Sequence, residues 1–398
     1  MREKDIIENL QREIIIPDIV QAKADQVFRK IQKENRKELT IRAGKRKGKL
    51  VWAVVAAAVL ALGTTVCAAV YKYGGRGLVA EFRMTPEEKQ ILEEKEYMTP
   101  IVDEAGMYAG VTCQDITITP MQMIVDQRFA WLSFQVKGFV PEEGKEPGVY
   151  MRRITVDGDE YAAIQSYGGF YDGLRYTGDG FVRDDGEQEY DAEGRLIPQY
   201  VDEEGCLEYI IEIVGTDYEK GLIGSSLHVE LEGLGTMDKA EYIPDVEGVW
   251  AFDLELKGSD AVRKTTLSAM LGDSGATLEY AEISPISVYV IGEFPLQKEE
   301  TEAENGKGET MLHETFVHAP DFAGLKMKDG SLLTCIINGG TVGYPDSEQE
   351  VYRWAYSITP AVDPEEVEAL LFQKSTPELN DRGTFEYKEE DLYVVPLE

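Results

Sequence analysis

The stretch Leu50–Tyr71, LVWAVVAAAVLALGTTVCAAVY, decides how this chain is organised, because it carries no charged residue. As a helix, its 22 residues would be about 33 Å long, which is enough to cross a hydrocarbon core of roughly 30 Å. We therefore expect residues 50–71 to form a single transmembrane helix.

The charge of the chain differs on the two sides of this stretch. Residues 1–49 contain 14 Lys/Arg and 8 Asp/Glu, a net charge of +6. The chain has 40 Lys/Arg and 74 Asp/Glu in total, so residues 72–398 hold the other 26 and 66, a net charge of −40. Seven Lys/Arg residues lie close before the stretch, within residues 36–49, whereas Lys72 and Arg76 alone follow it closely. Because basic residues collect on the cytoplasmic side of a membrane, residues 1–49 are predicted to be cytoplasmic and the acidic remainder extracellular. The acidic excess also argues against nucleic-acid binding, which requires an excess of cations.

A cleaved signal peptide is the alternative interpretation of the apolar stretch. Cys67-Ala68-Ala69 offers the small residues at which a signal peptidase cuts. However, the 49 residues before the apolar run are too long for the charged n-region of a signal peptide, and the run itself is too long for the apolar h-region. We therefore favour an uncleaved anchor, which predicts a single-pass protein of the cell membrane.

The cytoplasmic segment, residues 1–49, contains two helical patterns. The second starts at Pro17, and its apolar residues recur at the spacing of an amphipathic helix. The candidate partner-binding residues of this stripe are Val20, Ala24, Val27, Phe28 and Ile31. A segment this short buries little surface alone, so the stripe either packs against the first helix or binds a partner. Membrane-surface binding is a third option, although topology already explains the nearby basic residues.

After the span, a short helix is predicted from Thr85 to about Glu96, because Thr85-Pro86-Glu87-Glu88 has the residues of a helix start. The pattern then changes to short β-like runs separated by Gly-rich or Asp-Gly turns. These runs are Asp115–Ile118, Phe129–Val136, Tyr209–Val214, Leu227–Leu231, Val249–Leu256, Ser287–Ile291, Leu332–Ile337 and Val351–Ile358. Near the end, Asp363 predicts a helix through Phe372, and a last strand is expected over residues 391–396.

An internal repeat divides this β region in two. The matching pairs are Ile118-Thr119-Pro120 with Ile283-Ser284-Pro285, Asp157-Gly158 with Asp329-Gly330, and Gly168-Gly169 with Gly339-Gly340. They keep the same order at offsets of 165, 172 and 171 residues. We therefore predict two β-sandwich domains, residues 111–258 and 274–398, which follow a linker with a short helix over residues 72–110.

No motif predicts an enzyme, a metal site or a cofactor. His313 and His318 are five residues apart, whereas a helical zinc site needs a spacing of four. The acidic residues of 172–193 lack the spacing of a calcium loop, and the sequences around Asp191 and Asp202 predict hairpin turns instead. Outside the span, the odd set of Cys113, Cys206 and Cys335 predicts no disulfide framework.

A group of aromatic residues near repeated glycines offers a candidate sugar or peptide site. Its members are Tyr161, Tyr167, Phe170, Tyr171 and Tyr176. Packing of strands and loops is the commoner role of such residues, so both interpretations stay open at this point.

The order of segments and two short motifs resemble a protein family. Ile16-Pro17-Asp18-Ile19-Val20 stands in the cytoplasmic segment, a basic stop and an Ala-rich span follow, and Gly248-Val249-Trp250-Ala251-Phe252 stands in the β region. This layout resembles bacterial single-pass, anti-sigma-factor-like membrane proteins with an uncharacterised extracytoplasmic domain followed by an immunoglobulin-like domain. The resemblance implies an extracellular region that senses or anchors and a cytoplasmic segment that sequesters an extracytoplasmic-function sigma factor. Residues 1–49 contain no His or Cys, so the zinc-binding anti-sigma motif is absent.

The leading hypothesis is therefore a membrane-anchored regulator of transcription whose extracellular ligand is unknown. A cell-surface binding module or adhesin, with a tail that only anchors it, is the second hypothesis. An exported hydrolase is the third. Co-purification with the isolated tail distinguishes the first hypothesis from the second.

Overall fold

The computed structural model describes residues 77–397, apart from positions 83, 85, 103–105, 143, 177–180, 184–186, 192–193, 217–219, 239–240, 305–309, 346–349 and 376–386. The described residues belong to one compact unit, Val66–Glu398. The predicted cytoplasmic segment and the predicted span, residues 1–71, lie outside them. Within the described part of the chain, no helix is long and apolar enough to cross a membrane.

Among the residues described from position 77 on, two short helices precede the strands, α1 at Leu78–Glu81 and α2 at Pro86–Glu94, and α2 confirms the helix predicted from Thr85. The strands of the first half are β1 (Met98–Pro100), β2 (Val111–Cys113), β3 (Ile116–Val125), β4 (Phe129–Lys137), β5 (Glu146–Val156), β6 (Ala163–Phe170), β7 (Leu174–Tyr176), β8 (Phe181–Arg183), β9 (Cys206–Gly215), β10 (Ser226–Asp238) and β11 (Glu241–Glu255). Those of the second half are β12 (Arg263–Met270), β13 (Thr277–Ile283), β14 (Ser287–Glu293), β15 (Lys298–Glu304), β16 (Thr310–Phe316), β17 (Phe322–Met327), β18 (Leu332–Thr334), β19 (Ile337–Gly343), β20 (Val351–Ile358), β21 (Val367–Gln373) and β22 (Leu392–Pro396).

Antiparallel pairing joins most of these strands into sheets. Sheet A has the order β1-β3-β4-β9-β6, with β2 beside β3, and sheet B has the order β11-β10-β5. Sheet C has the order β12-β13-β14-β20-β19, and sheet D has the order β18-β17-β21-β22. The strands β7 and β8 form one separate hairpin, and β15 and β16 form another. The fold is therefore mainly β, as the sequence predicted.

Each half of the β region has its own hydrophobic core. Sheets A and B contribute the first core, in which alternate residues of β4 and β9 point toward sheet B. Its large members include Phe134, Phe170, Tyr209, Trp250 and Phe252. Sheets C and D contribute the second core, with Trp354 and Phe372 among its fully buried residues. Side chains that alternate along the strands thus form two separate hydrophobic cores.

Sheets A and C also contact each other through the faces that point away from these cores. Phe129 and Val214 of sheet A pack in one cluster with Tyr289 and Ala355 of sheet C. We call this contact between sheets A and C the joint. Helices α1 and α2 cover another part of the same face of sheet A, where Phe82 meets the Trp131 ring edge-on at 5.1 Å between centroids. Sheet A is therefore buried on both faces.

The two halves repeat one strand order. In sheet A, β3, β4, β9 and β6 correspond to β13, β14, β20 and β19 of sheet C, and β5, β10 and β11 correspond to β17, β21 and β22. Two of the three predicted sequence matches fall in corresponding places. The turn Asp157-Gly158 follows β5, and the turn Asp329-Gly330 follows β17. The pair Gly168-Gly169 lies in β6, and Gly339-Gly340 lies in β19.

The first predicted match is out of register. Ile118–Pro120 lies inside β3, whereas Ile283 is the last residue of β13. The turn that corresponds to Ser284–Ser287 is instead Asp126–Phe129. In both turns, the N–H of the first residue donates to the carbonyl oxygen of the last at 2.9 Å. The repeat is thus a repeat of topology more than of sequence.

The helix predicted from Asp363 to Phe372 is wrong. Asp363 does cap a helical turn, since its Oδ1 accepts a hydrogen bond from the N–H of Glu365 at 3.1 Å, but the turn is a 3-10 turn that covers only Pro364–Glu366. The chain then continues as β21, paired with β17 and β22. Pairing between strands and burial in the second core therefore outweigh the local helix signal.

Two predicted boundaries also differ from the structure. The proposed connection at residues 258–272 contains β12, which pairs with β13 and places Leu267 and Leu271 in the second core. The single strand predicted over 332–337 is interrupted at Cys335, which has a φ of 57°. Because that backbone conformation ends a strand, β18 and β19 belong to different sheets.

Candidate functional site

The candidate partner-binding residues of the cytoplasmic stripe are not among the described residues. They are Val20, Ala24, Val27, Phe28 and Ile31. Their role therefore stays a prediction. The candidate site in the described part of the chain is the joint between sheets A and C, where charged side chains of both halves are buried together.

Four of the five aromatic residues of the candidate sugar or peptide site have described side chains, and these four do not converge on one place; the side chain of Tyr176 lies outside the described part. Phe170 lies in the first core against Tyr209, at 5.1 Å between ring centroids, whereas Tyr171 lies in the cluster on the other face of sheet A. The Tyr167 ring lies against Trp131, and Tyr161 is 84% exposed. The packing role therefore accounts for the members that are buried.

The acidic hairpin turns are confirmed. Asp191 Oδ1 accepts a hydrogen bond from the N–H of Arg195 at 2.7 Å. Asp202 Oδ1 accepts from the N–H groups of Glu204 and Cys206 at 2.9 and 2.8 Å. Among the described residues, no group of three or more His, Cys, Asp or Glu side chains is arranged to hold a metal ion.

Asp126, in the turn between β3 and β4, links the two halves. Its Oδ1 accepts hydrogen bonds from the N–H groups of Arg128 and Phe129, at 2.7 and 2.8 Å. Its Oδ2 accepts from the hydroxyls of Ser284, at 2.5 Å, and Ser287. Asp126 is only 1% exposed, and a buried carboxylate needs such partners to replace water. It therefore closes its own turn and attaches that turn to the corresponding turn of the other half.

Arg128 adds a charged contact across the joint. Its Nη2 is 3.2 Å from Glu282 Oε2, and its guanidinium lies 4.3 Å from the centroid of the Tyr289 ring. The Tyr280 hydroxyl donates to Glu282 Oε1 at 2.8 Å. Burial, followed by this carboxylate, raises the pKa of Tyr280 to about 12, so the hydroxyl keeps its proton near neutral pH. The side chains of Arg128 and Glu282 are 12% and 10% exposed, so salt screens this pair weakly.

Glu212, on β9, is the third acidic group at the joint and is fully buried. The Ser166 hydroxyl donates a hydrogen bond to its Oε2. A Cβ at Gly339 of β19 would overlap the carboxylate, so this glycine lets the second half approach. Burial raises the pKa of Glu212, while Ser166, Ser357 and Trp131 oppose the rise and Asp126 adds to it.

The connection between the halves is attached to the first half. The N–H of Ser259 donates to the carbonyl oxygen of Val125 at 3.2 Å, and the Tyr97 hydroxyl donates to the carbonyl oxygen of Ala261. Gly258 lies so close to Val125 that a Cβ there would overlap the Val125 carbonyl oxygen. The joint and its connection together fix how sheet A meets sheet C.

Alternation along the strands does not by itself predict that these carboxylates are buried at a contact between sheets. Glu212 stands in the run Ile210-Ile211-Glu212-Ile213-Val214, where alternation places it opposite the core. Alternation alone predicts a solvent-facing glutamate there, because it does not show that a second sheet covers that face. The signal that could have found it is the apolar character of Ile210 and Val214, which share its face.

Comparisons with known proteins give no family. No family model and no curated protein matches the chain. A solved structure described as the crystal structure of the conserved domain protein from Bacillus anthracis is similar at 13% identity and a TM-score of 0.39. The match covers 80% of this chain and 96% of that one.

Proposed function

We propose that the chain is a membrane-anchored, anti-sigma-factor-like regulatory protein whose acidic β region lies outside the cell and senses or anchors. The observation that carries the proposal is the charge division, +6 over residues 1–49 and −40 over residues 72–398, on the two sides of the uncharged stretch Leu50–Tyr71. A stretch of this length and these flanks fits a single span with its N terminus in the cytoplasm.

The β region then supplies two immunoglobulin-like domains. The order of sheets A and B, β3-β4-β9-β6 and β11-β10-β5, is that of the constant-type immunoglobulin fold, in which strands A-B-E-D form one sheet and G-F-C the other. Sheets C and D repeat it, with β18 added beside β17. Domains of this kind present loops and edges for binding on a rigid body, which suits a sensing or anchoring region.

The joint supports a role in which the two domains act together. Asp126 and the Arg128–Glu282 pair connect the domains by buried polar contacts, and the connection at residues 257–261 is held by hydrogen bonds. Inter-domain contacts that are small and solvated allow free relative motion, whereas buried and bonded ones restrict it. A ligand that moves one domain would therefore move the other domain with it.

The cytoplasmic stripe gives the sharpest test of function. Burying Val27 and Phe28 against a partner contributes roughly 1.5 to 3 kcal/mol each, so replacing both by Asp should abolish a complex of modest affinity. We expect residues 1–49, used as bait in the native host, to recover a sigma factor. The variant with Val27→Asp and Phe28→Asp should lose it while circular dichroism shows the same helicity.

A matched control replaces two residues on the polar side of the same predicted helix, Asp25→Ala and Gln32→Ala, and should keep the partner. If the wild-type bait enriches no sigma factor, and deletion of residues 5–34 leaves transcription unchanged, the regulatory proposal fails. The surface-binding module with a purely topogenic tail then takes its place.

The domain boundary makes a separate prediction. A fragment of residues 258–398 should melt cooperatively. A fragment of residues 274–398 should have a free energy of unfolding at least about 3 kcal/mol lower, or fail to fold. The reason is that it lacks Leu267 and Leu271, which each contribute roughly 1.5 to 3 kcal/mol when buried. Arg263 adds hydrogen bonds to the carbonyl oxygens of Pro364, Val367 and Leu397. Urea denaturation followed by circular dichroism measures both fragments. Equal stability would place the boundary at residue 274 after all, and two non-cooperative fragments would mean that the halves do not fold independently.

A further inference from the structure

The described residues of the segment 77–97, which precedes β1, lie on the face of sheet A that points away from the first core, and we call this segment the strap. A Cβ on Gly77 would overlap the carboxylate of Glu208 on β9, so the strap starts directly over that strand. The Phe82 ring then meets Trp131 of the neighbouring strand β4 at 5.1 Å between centroids. The strap therefore crosses from one strand of the sheet to the next.

The strap is buried as deeply as the strands that it covers. Leu78 and Phe82 are fully buried, and Leu92 is 1% exposed. A four-residue helix such as α1 is not stable alone, so packing on sheet A is what holds it in place. The segment predicted as a linker is therefore part of the folded β region from residue 77 onward.

The second half contributes to the cluster that buries the strap. Ile286, which is fully buried, and Ala361, which is 7% exposed, pack in the same cluster as the strap residues. Ile286 lies in the turn Ser284–Ser287, whose two serine hydroxyls donate to Asp126. That turn is therefore attached to the first half twice, by polar bonds and by the apolar cluster under the strap.

The strap cluster continues directly into the joint. Trp131 and Phe129 are two residues apart on β4, so their side chains point to the same face of sheet A. Trp131 packs with the strap, whereas Phe129 packs with Tyr289 and Ala355 of sheet C. Because protein interiors are close-packed, loss of the strap removes neighbours from the ring beside Phe129.

Tyr97 fixes the other end of the strap. Its carbonyl oxygen accepts a hydrogen bond from the N–H of Val125 at 3.0 Å, and its hydroxyl donates to the carbonyl oxygen of Ala261. Val125 is the last residue of β3, and Ala261 lies in the connection to the second half. This end of the strap therefore also joins the first half to the chain that leads into the second.

We propose that the strap is a lock on the joint: while it lies on sheet A the two halves stay together, and its release lets sheets A and C separate without unfolding either core. Release uncovers Trp131 and leaves the turn that contains Ile286 with only its polar attachment. Among the described residues, neither core contains a residue of the strap, so both cores keep their packing when it leaves.

The position of the strap in the chain gives the lock a use, and this step rests on the proposed function. Leu78 follows Tyr71, the last residue of the predicted span, by seven residues. A pull between the membrane and a bound β region therefore acts on the strap before it acts on either core. Once released, the segment 77–97 supplies up to roughly 70 Å of extended chain. The lock thus converts a pull on the anchor into separation of the two halves.

Two buried thiols distinguish opening of the joint from unfolding of a core. Ala355 is fully buried in the joint, and Ala281 is fully buried in the second core. In separate full-length chains in detergent, Ala355→Cys and Ala281→Cys should react with a small maleimide only when their surroundings open. Peptide mass spectrometry distinguishes them from the native cysteines. Protection is the rate in the denatured chain divided by the rate in the native chain, and in detergent it tests the lock and not the anchor.

With Phe82→Ala, we expect protection at position 355 to fall at least about tenfold, or about 1.4 kcal/mol, because the strap loses a fully buried ring. Protection at position 281 should stay within about twofold, as for sites that share no partners. Phe82→Leu keeps an apolar side chain and should give a smaller fall at position 355. Ile91→Ala changes an exposed residue of α2 and is the matched control, which should alter neither value.

A double-mutant cycle tests the contact with the second half. Ile286→Ala should also lower protection at position 355, because it removes a second-half member of the strap cluster. With Phe82→Ala and Ile286→Ala together, the fall should be smaller than the product of the two single falls, since the second substitution removes a contact that the first has already weakened.

Equal falls at positions 355 and 281, or a Phe82→Ala chain that does not fold, would overturn the proposal, because the strap would then be needed for the whole fold. Unchanged protection at position 355 would overturn it as well. So would single effects that simply multiply in the double variant, since the strap and Ile286 would then act independently.

Discussion

Replacing Asp126 with alanine should destabilise the chain by about 3 to 5 kcal/mol, the largest effect on stability that we expect from a single polar residue at the joint. The carboxylate accepts four hydrogen bonds, and alanine leaves the N–H groups of Arg128 and Phe129 and the hydroxyls of Ser284 and Ser287 without that acceptor. An unsatisfied buried donor costs about 1 to 3 kcal/mol. Equilibrium urea denaturation of the full chain, followed by circular dichroism, measures the change.

Asp202→Ala is the matched control for this substitution. Asp202 Oδ1 accepts two backbone N–H groups, from Glu204 and Cys206, as Asp126 Oδ1 does, but it lies in an acidic surface turn away from the joint. Water can replace those bonds, so we expect a loss of only about 0.5 to 2 kcal/mol, as for other exposed caps. If the two variants lose equal stability, Asp126 acts through its own turn alone and does not hold the halves together.

The part of the fold that the sequence predicted rests on alternation and turn residues. The runs Phe129–Val136 and Val351–Ile358 are strands with nearly the predicted limits, because their side chains alternate between a core and a second surface. The helix at Pro86–Glu94 was predictable from its N-terminal residues. Signals that act within one element were therefore sufficient for these positions.

The errors arise where distant contacts decide the outcome. Val367–Gln373 follows a helix-capping Asp363, yet it pairs between β17 and β22, which no local signal shows. The strand β12 was assigned to a connection because its partner β13 is recognisable only in the folded chain. The two halves do repeat one topology, but the sequence match of Ile118–Pro120 with Ile283–Pro285 was out of register. The turns that correspond in the structure, Asp126–Phe129 and Ser284–Ser287, have different sequences.

The candidate site could be predicted least. Asp126 stands just before the predicted run Phe129–Val136, and Asp is common in turns, but which side chains its second oxygen meets depends on the other half. The burial of Glu212 likewise depends on the strands β19 and β20, which follow it by more than 100 residues in the chain. Sequence periodicity shows which residues share a face and does not show what covers that face.

Membrane topology should give an all-or-none result. In a chain whose native cysteines are replaced, Gln188→Cys lies at an exposed position of the acidic β region, and Ala43→Cys lies among the basic residues before the uncharged stretch. An impermeant reagent reaches only thiols outside the cell, so the two positions should differ completely. Labelling after lysis is the control that both thiols are reactive.

The central claim is that an uncleaved span separates a cytoplasmic tail from an extracellular β region, and thiol labelling of intact cells tests it most directly. We predict that Gln188→Cys is labelled on intact cells while Ala43→Cys is labelled only after lysis, both in the full-length chain. Labelling of Ala43→Cys alone, or of neither position until lysis, would contradict the claim. Release of a soluble β region that begins near Val70 would contradict it as well, since the apolar stretch would then be a cleaved signal peptide.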